Sequence, residues 1–390
     1  MFFQSLFIEA KTMLARSGPG IESLEIYKHT GLMFLRNNDL SKINTDLPSY
    51  IPAGNIEGGY MFLLPLMSIL SGINYLTLLN YLFYFILFLS LLSVLYFIIN
   101  FQKKTTHRVI SIFFVFIVNA YMYKKLFGTT AEHLMYFYSV QLILPIIILI
   151  YYNKIKNLWP PFLIIFFICL IIDQFRSHAC LGSFIILCFV VFVKKKKIIT
   201  RLISTALLIF YIAIPIFLQS FIEKKQMSNF QLLNNKNFSL NSMSSSIWPI
   251  IYRGMGFIHG KIDGFEDSVI IEYLKKNGHD VEPIYLTKEN NQIIKNEVLN
   301  TFKNDPGFFL RLYSAKFGVI IFYFFIFANI GIVNLVKNYK NKFFLFFSFF
   351  ISFCIYSLPP LIATPHIGYL GGIVGLGLII FCHSIIKNEN

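Results

Sequence analysis

YLTLLNYLFYFILFLSLLSVLYFIIN, residues 75–100, carries no charged side chain. A helix needs about 20 apolar residues to cross the hydrocarbon core of a bilayer, and this run is longer. No water is available there to satisfy the backbone, so the segment must bond internally and reads as a spanning helix. Working outward, apolar runs recur at 109–123, 134–152, 160–174, 178–193, 199–220, 315–336, 343–358 and 367–385. The expected fold class is an all-α polytopic membrane protein with about nine transmembrane helices of that minimum length. The expected organisation is an external loop and interfacial helix over 1–74 and a six-helix membrane region over 75–220. An external loop over 221–314 and a three-helix membrane region over 315–390 complete it.

Composition agrees. Apolar residues make up 56% of the chain and charged residues 14%, against about 45–50% and about 25% in soluble domains. The net charge of +15 raises the question of nucleic acid, and its distribution excludes it. Residues 221–314 hold 11 Lys/Arg against 10 Asp/Glu, and residues 1–60 hold 5 against 6. The excess therefore lies in and beside the apolar runs, where it reports orientation. All five cysteines (Cys169, Cys180, Cys188, Cys354, Cys382) lie in apolar runs with no metal-ligand or disulfide spacing, and read as small buried residues.

Short cytoplasmic loops favour Lys and Arg. The basic connections follow every second run: Lys103, Lys104 and Arg108; Lys154 and Lys156; Lys194 to Lys197 with Arg201; Lys337, Lys340 and Lys342; and Lys387 at the end. This sets the C-terminus inside, with residues 1–58 and the long loop outside. A 58-residue external segment has no span ahead of it, which implies either export by the first span or an upstream helix lost from this chain. Residues 60–73, with Pro65 and Gly72, are too short to cross and read as an interfacial helix. The abundance of Lys, Asn, Ile and Phe fits an AT-rich bacterial genome and a place in the plasma (inner) membrane.

The long loop divides in two. SNFQLLNNKNFSLNSMSSS is polar and low in complexity; from Trp248, SIWPIIYRGMGFIHGKIDGFEDSVI is rich in aromatics and glycine. Residues 286–314 read as amphipathic helix, ending NDPGFFLRLYSAK as the chain re-enters the membrane, with Asp305–Pro306 as a helix-start signal. So much apolar content implies a loop folded onto the outer membrane face. Nearer the N-terminus, GPGIESLEIYKHTGLMFLRNND places Glu22 and Glu25 near Tyr27 at the start of a short helix.

Three stretches taken in order resemble the GT-C superfamily of integral membrane glycosyltransferases, near its protein-mannosyltransferase and lipid A aminoarabinose-transferase branches. They are ESLEIYKHTGLMFL…SYIPAGNIEGGYMFLLPLMSILSGIN, WPPFLIIFFICLIIDQFRSHACLGSFIILCFVVFVKKKK, and SIWPIIYRGMGFIHGKIDGFED with NEVLNTFKNDPGFFLRLYSAK. The resemblance implies transfer of a sugar from a polyprenyl-phosphate donor to a lipid, glycan or protein acceptor on the outer face, among membrane lipids. It implies an external carboxylate as general base or acceptor ligand, which by position is Glu25, with Glu22 second. Many relatives carry Asp there. It also sets His366 and Tyr369, on the last external turn, where relatives often carry Arg–Tyr in contact with phosphate or sugar.

The residues themselves point to the same chemistry. Sugar transfer from a phosphate ester needs a base for the acceptor hydroxyl and positive charge on the departing phosphate. Ionisable groups at membrane depth are functional candidates by default. Asp173, Arg176 and His178 cluster at one outer turn; the i,i+3 spacing of Asp173 and Arg176 admits a local salt bridge, or a phosphate contact by Arg176. Glu132 and His133 cap a span or line a cavity. Arg253, in YRGMG, reads as a phosphate contact with backbone amides or as an ordinary loop arginine. Asp263, Glu266 and Asp267 leave a divalent metal open, although the chemistry requires no cofactor. The rival functions are an O-antigen or capsule polysaccharide polymerase and a transporter or flippase. The latter predicts repeats and broken mid-membrane helices that the sequence does not display.

Overall fold

The computed structural model describes residues 63–126 except 74, 133–155 except 153, 159–214 except 177 and 195–197, and 217. It further describes 247–279 except 260, 263, 265 and 266, then 287–337 and 343–385. The fold is helical: α1 (Leu64–Ser71), α2 (Tyr75–Phe101), α3 (Thr105–Leu126), α4 (Leu134–Tyr151), α5 (Trp159–Phe175), α6 (Leu181–Lys194) and α7 (Ile198–Ile214) come first. Then follow α8 (Ile247–Met255), α9 (Asp267–Lys276), α10 (Lys288–Asn304), α11 (Pro306–Ala328), α12 (Ile330–Lys337), α13 (Phe343–Ile362) and α14 (Gly371–Ile385). Within 60–73, where an interfacial helix was expected, the chain forms the helix α1. Pro65 sits in its first turn, where no donor is lost, and Gly72 ends it at φ +69°, returning its N–H to Ser68 O at 2.9 Å.

Five helices (α2, α3, α4, α11, α13) are long and apolar enough to cross a membrane, and α5, α6, α7 and α14 are shorter apolar helices. The chain is accordingly a membrane-embedded helical protein. Burial identifies the centre: 89% of α4's apolar window is buried, against 39% in α2 and 33% in α3. Helix α4 is thus wrapped by α2, α6 and α14, and the outer helices turn Phe85, Phe88, Phe113 and Phe116 outward. In lipid this is the sense expected, because apolar packing against tails costs nothing.

Helix association in lipid rests on close backbone approach rather than on exclusion of water. The GGIVGLG start of α14 provides it. A Cβ on Gly375 would come within 3.0 Å of Val140 in α4, and one on Gly377 within 2.9 Å of Ala328 N in α11. Tyr356 of α13 wedges between Gly182 and Gly372, and its hydroxyl meets Ser183 Oγ at 2.6 Å and accepts from Ser183 N at 3.1 Å.

Two cores result. The main one fills the bundle; a second gathers Tyr252, Met255, Ile270, Leu274, Ile294, Val298, Phe308 and Leu312 into a small subdomain built from α8, α9, α10 and the first turns of α11. The aromatic, glycine-rich part of the long loop therefore folds. Asp305–Pro306 starts a helix as expected: Asp305 ends α10 and also caps α11, accepting from Phe308 N at 2.9 Å. One boundary differs from expectation. The run 315–336 breaks at Asn329, whose φ of +44° separates α11 from α12. Four cysteines are buried as expected, whereas Cys354 is exposed on α13.

Polar contacts sort the helix ends into two sets. At one end Gln102 donates to Ser111 Oγ at 2.6 Å and to Cys382 O at 3.2 Å, Tyr152 Oη lies 3.1 Å from His383 Nε2, and Asn334 donates to Ser384 O. The basic connections at Lys103, Lys104, Arg108 and Lys154 belong to this end. The opposite end holds the start of α4, the α5–α6 turn, the α13–α14 turn and the second core.

Candidate functional site

Arg176 follows the last residue of α5, and its N–H still bonds back to Ile172 O at 3.0 Å. A cation there meets the negative end of the helix dipole. The turn that follows is tight. Ala179 N donates to Arg176 O, Leu181 N donates to His178 O, and exposed His178 adopts φ +64°.

Asp173 closes this turn from beneath. One carboxylate oxygen accepts from Cys180 N at 2.9 Å and the other from the Tyr211 hydroxyl of α7. Asp173 is 5% exposed and Tyr211 1%. Rather than serving Arg176 as an i,i+3 partner, Asp173 is thus committed to the backbone of the turn and to anchoring α7. An Asp173→Ala variant strands two buried donors, at about 1–3 kcal/mol each. We expect a lower melting temperature in detergent for Asp173→Ala and for Tyr211→Phe. The double variant should lose less than the sum, since neither partner remains to be stranded.

The guanidinium of Arg176 lies over two aromatic rings, Tyr136 of α4 at 5.7 Å and Tyr369 of the α13–α14 turn at 5.5 Å. His133, capping α4, packs edge-on against Tyr369 with centroids 4.7 Å apart. Burial, together with the neighbouring Arg176 and His366 charges, holds the His133 imidazole well below the ordinary histidine value, so it is neutral. Gly368 makes this approach possible: a Cβ there would lie 2.8 Å from His133 Cγ.

His366 is exposed, and its Nδ1 accepts from Gly368 N at 3.2 Å. That bond assigns the neutral proton to Nε2, making it a donor. Three connections far apart in sequence thus bring His133, Arg176, His366 and Tyr369 together. All four were candidates from the sequence. A planar guanidinium with five donors, backed by aromatic faces and accompanied by an imidazole donor, suits a phosphate oxyanion.

Arg253 lies in the last turn of α8, partly buried, on the helix that contributes Tyr252 and Met255 to the second core. Glycines explain its setting: a Cβ on Gly254 would meet Ala363 O at 2.5 Å and Ile362 O at 2.6 Å, so α8 rests directly on the end of α13. Glu22, Glu25, Glu132, Asp263 and Glu266 lie outside the described residues, and nothing of the Asp267 side chain is described. Among the described residues no group of three His, Cys, Asp or Glu side chains is placed to hold a metal.

Sequence reasoning missed Tyr136, Gly368 and Lys316. Tyr136 is one aromatic among many in an apolar run. Lys316 did carry a signal, a lone cation within the otherwise apolar stretch SAKFGVIIFYFF. It is 1% exposed, and its ammonium donates to Leu361 O at 3.0 Å and Ala363 O at 2.5 Å.

No protein-family model matches this chain, no curated protein matches it, and no solved structure matches it.

Proposed function

We propose that this protein is a membrane glycosyltransferase that moves a sugar from a polyprenyl-phosphate donor to a lipid, glycan or protein acceptor at the outer face of a bacterial plasma membrane. The observation that carries the reading is the convergence of Arg176, His366, Tyr369 and His133 at the end of the bundle that also bears the folded loop subdomain. In this reading α2 to α7, α11 with α12, α13 and α14 make nine crossings. The basic connections face the cytoplasm, and the cluster faces out.

The chemistry follows. The acceptor hydroxyl attacks the anomeric carbon, the bond from that carbon to the phosphate oxygen breaks, and the phosphate leaves with the electron pair. Arg176 binds that phosphate through its fork of donors, and His366 Nε2 adds another. Tyr136 and Tyr369 hold the guanidinium plane in place without neutralising its charge. Glu25, with Glu22 as alternate, takes the hydroxyl proton by family resemblance. No step calls on a metal.

Mass spectrometry of polyprenyl lipids from cells with and without the gene tests the proposal. Deletion should accumulate a polyprenyl-monophosphate monosaccharide, and a Glu25→Gln chromosomal variant should reproduce it. Accumulation of diphosphate-linked oligosaccharide would replace the transferase with a polysaccharide polymerase. Unchanged pools would remove the donor assignment.

A further inference from the structure

The α13–α14 turn, residues 363–370, is held at two ends by different parts of the molecule. At its far end Tyr369 and Gly368 meet Arg176 and His133. At its near end the last turn of α13 exposes carbonyls with no partner inside the helix. Lys316 of α11 fills that need with bonds to Leu361 O and Ala363 O. A cation at a helix C-terminus is favoured there, and the Tyr313 ring lies 5.5 Å from the ammonium on another side. Helix α8 closes over the same point, since a Cβ on Gly254 would stand 2.7 Å from Lys316 Nζ.

Short-range bonds carry the turn from one end to the other. His366 N donates to Thr364 O at 2.7 Å, Leu370 N to His366 O at 3.1 Å, and Gly371 N to Gly368 O at 3.1 Å. These bonds link Ala363 to His366 and Tyr369 over a few residues.

We propose that Lys316 is the positioning residue of the outer site: it sets the 363–370 turn that presents His366 and Tyr369 beside Arg176, and it seats the loop subdomain on that same turn. The role in positioning the turn rests on contacts alone. The role in ligand binding rests on the phosphate-site reading above. Lys316 touches neither Arg176 nor its aromatic partners in these contacts, so it acts through the backbone of the turn.

Two measurements on purified full-length protein in detergent separate these parts. The first is hydrogen–deuterium exchange by mass spectrometry. Lys316→Met keeps the length of the stem and removes the donors; it should raise exchange at 363–370 and 247–255 about tenfold while leaving 134–151 unchanged. Gly254→Ala keeps Lys316 and forces a methyl against its ammonium; it should loosen the same segments.

The second measurement is equilibrium binding of citronellyl phosphate. Lys316→Met and Gly254→Ala should each weaken it about tenfold, and Arg176→Ala should abolish it with exchange at 363–370 retained. If exchange at 363–370 is unchanged in both Lys316→Met and Gly254→Ala, the positioning role is overturned, whatever the binding result. If exchange rises but the affinity of the folded variants stays at the wild-type value, Lys316 is a structural residue only and the proposal fails. If Arg176→Ala binds the probe as wild type does, the phosphate-site reading falls, and the exchange result alone decides Lys316.

Discussion

Arg176→Ala is expected to lower sugar transfer by about a hundredfold to a thousandfold, the range seen when one preorganised donor to a developing anion is removed. The guanidinium is the cation that the cluster is arranged around. It lies over two tyrosine rings at the C-terminal end of α5, and His366 stands on the neighbouring turn with Nδ1 accepting from Gly368 N. Among the described residues of the cluster there is no second Lys or Arg, so the departing phosphate would lose its main electrostatic partner. Arg176→Lys should recover only part of the activity, because an ammonium is a point charge without the planar fork. Folding should survive both changes: Arg176 is only partly buried, and the turn is held by Asp173, Cys180 and Tyr211. The measurement is transfer from a polyprenyl-phosphate sugar in membranes, normalised to the amount of folded protein. Wild-type rates in Arg176→Ala would contradict the assignment.

Gly372→Val is expected to destabilise the folded protein strongly. A Cβ at that position would lie 2.8 Å from Tyr356 Cγ, inside any real contact distance, and the ring has no room to retreat. Gly182 closes its other side, where a Cβ would come within 3.0 Å of Tyr356 Cζ. Overpacking alone costs about 1–3 kcal/mol or more. Displacing the ring also breaks the Ser183 hydrogen bonds, at about 1 kcal/mol each. For a protein of ordinary stability, about 5–15 kcal/mol, this is a large fraction. Fluorescence-detected size exclusion of a tagged protein after graded heating should show the monodisperse peak lost at a lower temperature than in the control. Gly318→Ala is the control, because no atom lies within 4 Å of a Cβ built there. Equal temperatures of loss for the two variants would contradict the packing account.

Much of this was legible in the sequence because the bilayer imposes a simple rule. An uncharged run such as 75–100 admits one backbone solution, and its helix emerges as Tyr75–Phe101. The polar contacts of Gln102, Tyr152 and Asn334 fall at the end of the bundle that carries Lys103, Lys104, Arg108 and Lys154. His133 and Arg176 were visible as ionisable groups at the ends of apolar runs, whereas His366 and Tyr369 were visible only through the family resemblance.

What escaped was pairwise. Asp173 and Arg176 share a helix turn, and spacing alone suggested that they pair; the Tyr211 partner is 38 residues away and had no local signature. Tyr136 could not be told from the surrounding aromatics, since its role depends on which face of α4 meets the α5–α6 turn. Lys316 stands out in the sequence only as a lone cation in an apolar stretch, and the end of α13 beside it explains a buried ammonium. The Asn329 break is of the same kind. A positive φ at asparagine is tolerated rather than demanded, so the sequence gives it little weight.

The central claim is that the Arg176 cluster faces the outside of the cell. Single cysteines at His178 and Lys154, placed in a variant lacking the five native cysteines, test it with a membrane-impermeant maleimide on intact cells. Both positions are exposed, one on the α5–α6 turn beside Arg176 and the other at the basic end after α4. The account predicts labelling at 178 in intact cells and labelling at 154 only after permeabilisation. Labelling at 154 in intact cells with protection at 178 would place the cluster in the cytoplasm and contradict it.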